Sequence, residues 1–193
     1  AASMACTKAV TISKAANTLT LSANSATYTY PTAGTFTVTK NTSGGTLSCE
    51  TDDSAVATCT ISGTTVTVTP GTTAGAATIT VKSAATTNYN AGQVAHVATT
   101  GAGTLSVTAS GYSGTYDGKA HGITVTSSGA TIKYGTSSGS YTLTASPTYT
   151  NAGTYTVYYQ VTRTGYKTVT GSKQVVISKA ANPISVTAKT LTY

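Results

Sequence analysis

The chain has 193 residues and a formal net charge of +7, yet only 8% of its residues are charged. Soluble proteins average about 25% charged residues; here Thr, with 47 residues, takes over the polar role. Thr, Val and Tyr favour strands, whereas the helix formers Leu, Met and Glu are scarce. The composition therefore predicts an all-β fold. No apolar run reaches 18 residues, so we expect no membrane insertion in this segment.

The positive charge is spread singly along the chain. The lysines are isolated from one another, and Arg163 is the only arginine. Without a basic cluster, the charge indicates solubility and protected strand edges, and no nucleic-acid partner is expected. Residues Ala1–Val10 lack the apolar core of a signal peptide. We interpret the chain as a piece of a longer exported protein.

Alternating apolar and polar residues predict short strands in both halves of the chain. In the first half the alternating sets are Val10/Ile12, Leu19/Leu21/Ala23, Phe36/Val38, Leu47/Cys49, Ala57/Cys59/Ile61, Val66/Val68 and Ile79/Val81. A Gly-rich stretch, Thr99–Gly103, interrupts the pattern. The sets that follow are Leu105/Val107, Ile123/Val125, Ile132/Tyr134, Tyr141/Leu143, Tyr155/Val157/Tyr159/Val161 and Val175/Ile177. Each half holds enough strands for one immunoglobulin-like sandwich.

The hexapeptide ISKAAN occurs twice, at Ile12–Asn17 and at Ile177–Asn182. Aligned on these copies, residues 12–28 match residues 177–193 without a gap and with their apolar positions in phase. Such a repeat indicates junctions in a tandem array. In this interpretation ISK ends one module, AAN is a short linker, and a new first strand follows.

The repeat predicts two tandem immunoglobulin-like β-sandwich domains with partial flanking strands. The segments are 1-14, the last strand of a preceding module; 15-99, the first domain; 103-180, the second; and 182-193, the first strand of a following module. The flanking strands would carry apolar residues without a partner, namely Val10, Ile12, Ile184 and Val186. An alternative use of these strands is addition to the sheet of a neighbouring chain.

Longer motifs carry a resemblance to known families. The stretch TLSCETDDSAVATCTISGTTVTVTPGTTAGAATITV, Thr46–Val81, resembles bacterial immunoglobulin-like domains of group 2. The stretch YSGTYDGKAHGITVTSSGATIKYG, Tyr112–Gly135, together with Pro147–Ala180, is similar to the YDG/MBG-type repeats of large bacterial surface proteins and adhesins. The resemblance implies β-sandwich spacers at the bacterial cell surface, outside the cell, with no fixed catalytic residues.

Cysteine positions suggest a disulfide in the first domain. Cys49 and Cys59 have the parity of Leu47 and Ile61, so both should face the core. We favour a disulfide across a hairpin over two buried thiols, chiefly because exported proteins retain disulfides. Cys6 falls in the strand assigned to the preceding module, so it is either free or paired elsewhere.

Acidic residues are few, and each has a structural alternative to ligand binding. Glu50, Asp52 and Asp53 could bind calcium, but a turn explains them better. Asp117, with Tyr116 and His121 near it, could mark a sugar-binding patch, but an Asp-Gly hairpin is preferred. On the strand Thr154–Thr162, Tyr158 faces away from the core. It could form a glycan platform with Tyr134, Tyr149 or Tyr166.

These observations predict no catalytic residue, no metal and no cofactor. His96 and His121 each lack partners at metal-ligand spacing, and a hydrolytic triad in the second half of the chain could use only one Asp and one His. We therefore expect a structural stalk whose partners are neighbouring modules of the same protein. The alternatives are a module that binds a glycan or a host surface protein, and a subunit that self-assembles into fibres.

Overall fold

The computed structural model describes residues 8–193, which contain fourteen β-strands and no helix. The predicted all-β class is confirmed. The chain divides into two compact units. Unit 1 runs to Gly103 and includes Thr164–Tyr166, and unit 2 consists of Thr104–Arg163 and Lys167–Tyr193.

Unit 1 is built from two four-stranded sheets. Its strands are β1 (Leu19–Leu21), β2 (Ser25–Thr29), β3 (Gly34–Asn41), β4 (Leu47–Thr51), β5 (Ala57–Ser62), β6 (Thr65–Pro70), β7 (Gly75–Ser83) and β8 (Gly92–Gly101). One sheet has the order β1-β3-β6-β5 and the other β2-β8-β7-β4. All pairs are antiparallel except β2 with β8. This is the immunoglobulin-type arrangement, in which the first strand is divided between the two sheets.

The two sheets of unit 1 share one hydrophobic core. Alternate residues of β3, β6 and β7 point into it, because side chains alternate between the faces of a strand. Val66, Val68, Ile79 and Val81 have no exposed surface, and Phe36 lies among them. Burial of each such side chain contributes roughly 1.5–3 kcal/mol. The alternating pattern in the sequence therefore locates this core correctly.

Unit 2 has a larger and a smaller sheet. Its strands are β9 (Thr108–Ser110), β10 (Tyr112–Thr115), β11 (Thr124–Thr126), β12 (Thr131–Gly135), β13 (Gly153–Thr162) and β14 (Val169–Ser178). The larger sheet has the order β10-β14-β13-β12, with β10 parallel to β14, and β11 pairs with β9. Val157, Val161 and Val175 are fully buried, and Ile123 and Val125 are also in the core.

Some strand predictions were wrong. The expected break Thr99–Gly103 is continuous with a strand, because Thr99–Gly101 belong to β8. Thr100 is buried there, and its hydroxyl donates to the carbonyl oxygen of Val56. The pairs Leu105/Val107 and Tyr141/Leu143 lie outside strands, although Leu143 forms an isolated bridge with Tyr134. Periodicity alone does not show whether a segment finds a pairing partner.

The two ends of the described chain have no regular secondary structure. Residues 8–14 and 179–193 lie outside the strands and are exposed to solvent. Cys6 and the rest of residues 1–7 lie outside the described part of the chain. The flanking strands and the domain boundaries at 15-99 and 103-180 remain predictions.

Candidate functional site

Within residues 8–193, no group of three or more His, Cys, Asp and Glu side chains could hold a metal ion. No helix of this part of the chain is long and apolar enough to cross a membrane.

A disulfide joins Cys49 and Cys59, as the sequence predicted, with Cα atoms 6.3 Å apart. The expected hairpin between them is wrong, however. Cys49 lies on β4, which pairs with β7, and Cys59 lies on β5, which pairs with β6. Since β4 and β5 are edge strands of different sheets, the bond connects the two layers of the sandwich.

The acidic trio is engaged within unit 1. Asp52 accepts the N–H of Thr78 at 2.7 Å, and the pKa of its carboxyl is lowered mainly by this hydrogen bond. Asp53 accepts the N–H of Ala55 at 2.9 Å. Glu50 forms an ion pair with Lys82 on the neighbouring strand. Each carboxylate thus has its own partner, which favours the turn interpretation over a calcium site.

The centre of unit 1 holds a buried histidine between two aromatic rings. His96 has no exposed surface. Its ring stacks on Phe36 with centroids 4.1 Å apart, and it meets Tyr28 edge-on at 6.0 Å. Two hydrogen bonds position it: Nδ1 lies 2.8 Å from the carbonyl oxygen of Ala23, and Nε2 lies 3.0 Å from the hydroxyl of Tyr28.

These contacts determine the tautomer of the neutral His96 ring. A carbonyl oxygen can only accept, so Nδ1 carries the proton and donates to Ala23. Nε2 then accepts from the Tyr28 hydroxyl. Burial raises the pKa of Tyr28, because the phenolate would lose its hydration. From the sequence, His96 was considered only as a metal ligand, without partners at the right spacing, and it was not assigned to the core. The alternation of Val94, His96 and Ala98 along β8 could have identified His96 as a core residue.

The loop after β10 contains the TYDGKAH motif. Asp117 accepts the N–H of Lys119 at 2.9 Å and lies 2.9 Å from Nε2 of His121. The His121 hydrogen bond is the main cause that lowers the pKa of Asp117. The His121 ring stacks on Tyr112 at 3.7 Å, and the neighbouring Tyr116 is 46% exposed.

The preferred Asp-Gly hairpin at this loop was wrong. A hairpin turn would connect two paired strands, but β10 and β11 belong to different sheets. Gly118 nevertheless has a positive φ of 77°, a conformation that glycine favours. The loop is therefore a crossover between sheets, held by the pair Asp117–His121.

The tyrosines proposed as a glycan platform do not form one cluster. Tyr158 is half-buried and has no ring contact with another aromatic residue of the described chain. Tyr134 is a buried core residue. Tyr149 stacks on Tyr155 with centroids 3.9 Å apart. A ligand-facing role for Tyr158 remains a prediction.

The first copy of AAN is anchored to unit 1. Ala15 donates its N–H to the carbonyl of Asn88 at 2.8 Å and accepts from Asn90 at 2.9 Å. The Asn17 side chain accepts the N–H of Ser43 at 3.0 Å and lies against Gly92, where an added Cβ would be only 3.0 Å from Nδ2 of Asn17. In this copy the segment expected to be a linker is part of the module.

Comparisons with known proteins identify structures with a similar fold. No protein-family profile matches the chain, and no curated protein sequence matches it. Titin domains Z1Z2, solved in complex with telethonin, are 12% identical with a TM-score of 0.44, covering 88% of this chain and 100% of that one. Drosophila N-cadherin EC1-3 is 9% identical, with a TM-score of 0.32, covering 86% and 67%.

An endo-fucoidan hydrolase of glycoside hydrolase family 107 is also similar in structure. It is 10% identical, with a TM-score of 0.35, and the match covers 86% of this chain and 29% of that one. At these identities the likeness concerns the fold alone. The resemblance to bacterial group 2 and YDG/MBG domains therefore rests on the sequence motifs quoted above.

Proposed function

We propose that the chain is a structural spacer, part of the stalk of an exported bacterial cell-surface protein of the adhesin type. Its role is to hold another domain away from the cell and to resist tension along the chain. One observation carries the proposal: in both units a strand near the start pairs in parallel with the last strand.

This pairing supports a mechanical role because of the direction in which tension acts. In unit 1, β2 runs parallel to β8 from Ser25↔Val97 to Thr29↔Gly101. Tension pulls on the N-terminal end of β2 and on the C-terminal end of β8, and these ends lie at opposite ends of the ladder. The hydrogen bonds are then loaded together in shear rather than broken one after another. In unit 2, β10 and β14 have the same relationship.

The disulfide adds a second constraint in unit 1. It joins edge strands of the two sheets, so the layers stay covalently connected near β4 and β5 while tension acts on β2 and β8. Disulfides persist in oxidising compartments outside the cytosol. The bond therefore supports an exported location as well as resistance to unfolding.

Single-molecule force spectroscopy of the whole chain tests the proposal. Along β2, every second residue directs its backbone N–H and C=O groups toward β8. Val97 donates its N–H to the carbonyl of Asn24, and Tyr30 donates its N–H to the carbonyl of Gly101, so the even-numbered residues face β8. The N–H of Ala26 therefore points toward β8, and that of Thr27 points toward the free edge of the sheet. Ala26→Pro removes a ladder bond, whereas Thr27→Pro, on an edge strand, does not.

We expect Ala26→Pro to lower the unfolding force of unit 1 and Thr27→Pro to leave it close to that of the parent chain. Unit 2 serves as the internal reference in each trace. Equal unfolding forces for the parent and Ala26→Pro chains would show that the ladder does not resist tension, and the spacer would lose its main support.

A glycan-binding module is the second candidate, and the TYDGKAH loop favours it. Tyr116 is 46% exposed, and the side chain of Asp117, the next residue in the chain, is 41% exposed. A loop that exposes both an aromatic ring and a carboxylate suits a sugar ligand. A glycan array probed with the parent chain, Tyr116→Ala and Tyr158→Ala tests it. Retention lost only in Tyr116→Ala would support this loop, and no retention by the parent chain would reject it.

A further inference from the structure

Residues 182–193 expose a row of apolar side chains. Ile184 is 80% exposed, Val186 86% and Leu191 81%. The segment is the continuation of the second ISKAAN copy, and its counterpart after the first copy is Asn17–Tyr28. In unit 1 that counterpart provides β1 to one sheet and β2 to the other.

The residues that are identical in the two segments include those with specific contacts in unit 1. Position by position, Asn17, Ala23, Thr27 and Tyr28 recur as Asn182, Ala188, Thr192 and Tyr193. In unit 1 the asparagine side chain accepts the N–H of Ser43. The alanine carbonyl and the tyrosine hydroxyl hold the two nitrogens of the buried histidine.

The substituted positions keep the chemistry that unit 1 uses. Leu19, which is buried, and Leu21, which packs against the core, correspond to Ile184 and Val186. Thr18 accepts the N–H of Thr42 through its carbonyl, which Pro183 retains.

Of two further positions in the segments, one keeps a hydroxyl and the other has a larger side chain in the later segment. Ser22 accepts the N–H of Thr37 through its hydroxyl, and Thr187 keeps a hydroxyl there. Leu191 stands where Ala26 lies, so its module needs more space at that point than unit 1 has.

The segment before β1 matches the end of unit 2 in the same way. Lys8, Val10 and Ile12–Asn17 recur as Lys173, Val175 and Ile177–Asn182. Val175 and Ile177 are buried on β14, whereas Val10 and Ile12 are 82% and 91% exposed.

We propose that residues 182–193 are β1 and β2 of a unit-1-type module, and that residues 8–14 are the last strand of a unit-2-type module. The acceptor of residues 182–193 is a groove between strands equivalent to β3 and β8. It presents a backbone N–H to Asn182 and a buried histidine to Tyr193. The repeating element is then a pair of different modules, with ISKAAN leading from the unit-2 type into the unit-1 type. The inference deepens the proposed spacer function and rests on it for the idea of an array.

A graft into the full chain tests this assignment. In the graft, residues 18–25 of unit 1 are replaced by the residues found at positions 183–190, and Ala26 is kept. The changes are Thr18→Pro, Leu19→Ile, Thr20→Ser, Leu21→Val, Ser22→Thr, Asn24→Lys and Ser25→Thr. The matched control has the same eight residues at positions 18–25. Its proline is moved from position 18 to position 25, so each of the other seven residues is shifted by one position toward the N-terminus. This shift by one residue places polar side chains at positions 19 and 21, on the core face.

Calorimetry of the parent, graft and control chains gives the answer, with unit 2 as internal reference. We expect unit 1 of the graft to melt within about 8 °C of the parent, a shift of the size that a 1 kcal/mol change produces in a small domain. We expect the control to lose the unit-1 transition. A graft that loses the transition, or a control that melts like the graft, overturns the assignment. Either result leaves the force measurements on the parent chain unaffected, so the two proposals fail independently.

Discussion

The hydroxyl of Tyr28 donates to Nε2 of His96 at 3.0 Å in the core of unit 1. Tyr28 lies on β2 and His96 on β8, 68 residues later in the chain. The bond satisfies a ring nitrogen that has no exposed surface. It therefore couples the first and last strands of one sheet through side chains as well as through the backbone ladder.

Removal of the Tyr28 hydroxyl should destabilise unit 1. In Tyr28→Phe, Nε2 of His96 remains buried without a donor, and an unsatisfied buried polar group costs roughly 1–3 kcal/mol. Urea unfolding monitored by NMR signals of unit 1 measures the loss. Tyr116→Phe, which removes the hydroxyl of an exposed residue, is the control and should change little. A Tyr28→Phe chain as stable as the parent would contradict the role assigned to this bond.

Alkaline pH should reduce the stability of unit 1 through Tyr28. Burial raises the pKa of Tyr28 in the folded chain above the ordinary value of 10.0. As pH rises, the unfolded chain therefore loses this proton before the folded chain does. The contribution of protonated Tyr28 to the stability of unit 1 is complete below pH 10 and declines as pH rises through the folded pKa. The stability difference between the parent and Tyr28→Phe should be constant from about pH 8 to 9.5 and shrink above pH 10. A constant difference up to pH 12 would contradict this.

Loss of the inter-sheet disulfide should weaken unit 1 alone. Replacing Cys49 and Cys59 by Ser should cost roughly 2–4 kcal/mol, because the unfolded chain regains conformational freedom. Calorimetry should show a lower melting temperature for unit 1 and an unchanged one for unit 2. A Cys6→Ser background prevents thiol exchange in the parent and variant chains. Equal shifts in both units would contradict a bond that acts only within unit 1.

The acid titration of Asp117 should depend on His121. The His121 hydrogen bond is the largest cause of the lowered pKa of Asp117. The hydrogen bond therefore stabilises the folded chain at pH values above 3.8, the ordinary pKa of this carboxyl, and the stabilisation is lost as pH falls through the folded pKa. In His121→Ala, NMR titration should show the pKa of Asp117 moved up toward that value. Asp52, whose pKa is lowered mainly by Thr78, should titrate as before; a parallel shift in Asp52 would point to a general loss of structure.

The alternation of apolar and polar residues predicted many of the core positions in each unit. Alternation at Phe36/Val38, Val66/Val68 and Ile79/Val81 located the core of unit 1, since one face of each strand is buried. Parity also placed Cys49 and Cys59 on core-facing positions, and the disulfide between them was predicted chiefly from the expected export of the protein. In contrast, no strand was predicted where β8 lies, and its last residues were interpreted as a Gly-rich break, so His96 was not assigned to the core.

The sequence by itself determined the all-β class, the alternating core positions and the repeated ISKAAN segment, because these depend on neighbouring residues and on internal identity. The tertiary structure alone decided that Cys49 and Cys59 connect different sheets, that β2 lies parallel to β8, and that His96 meets Tyr28. Each of these requires pairing between strands distant in the chain. Such pairing is selected by the packing of two whole sheets, and no short stretch of sequence records it.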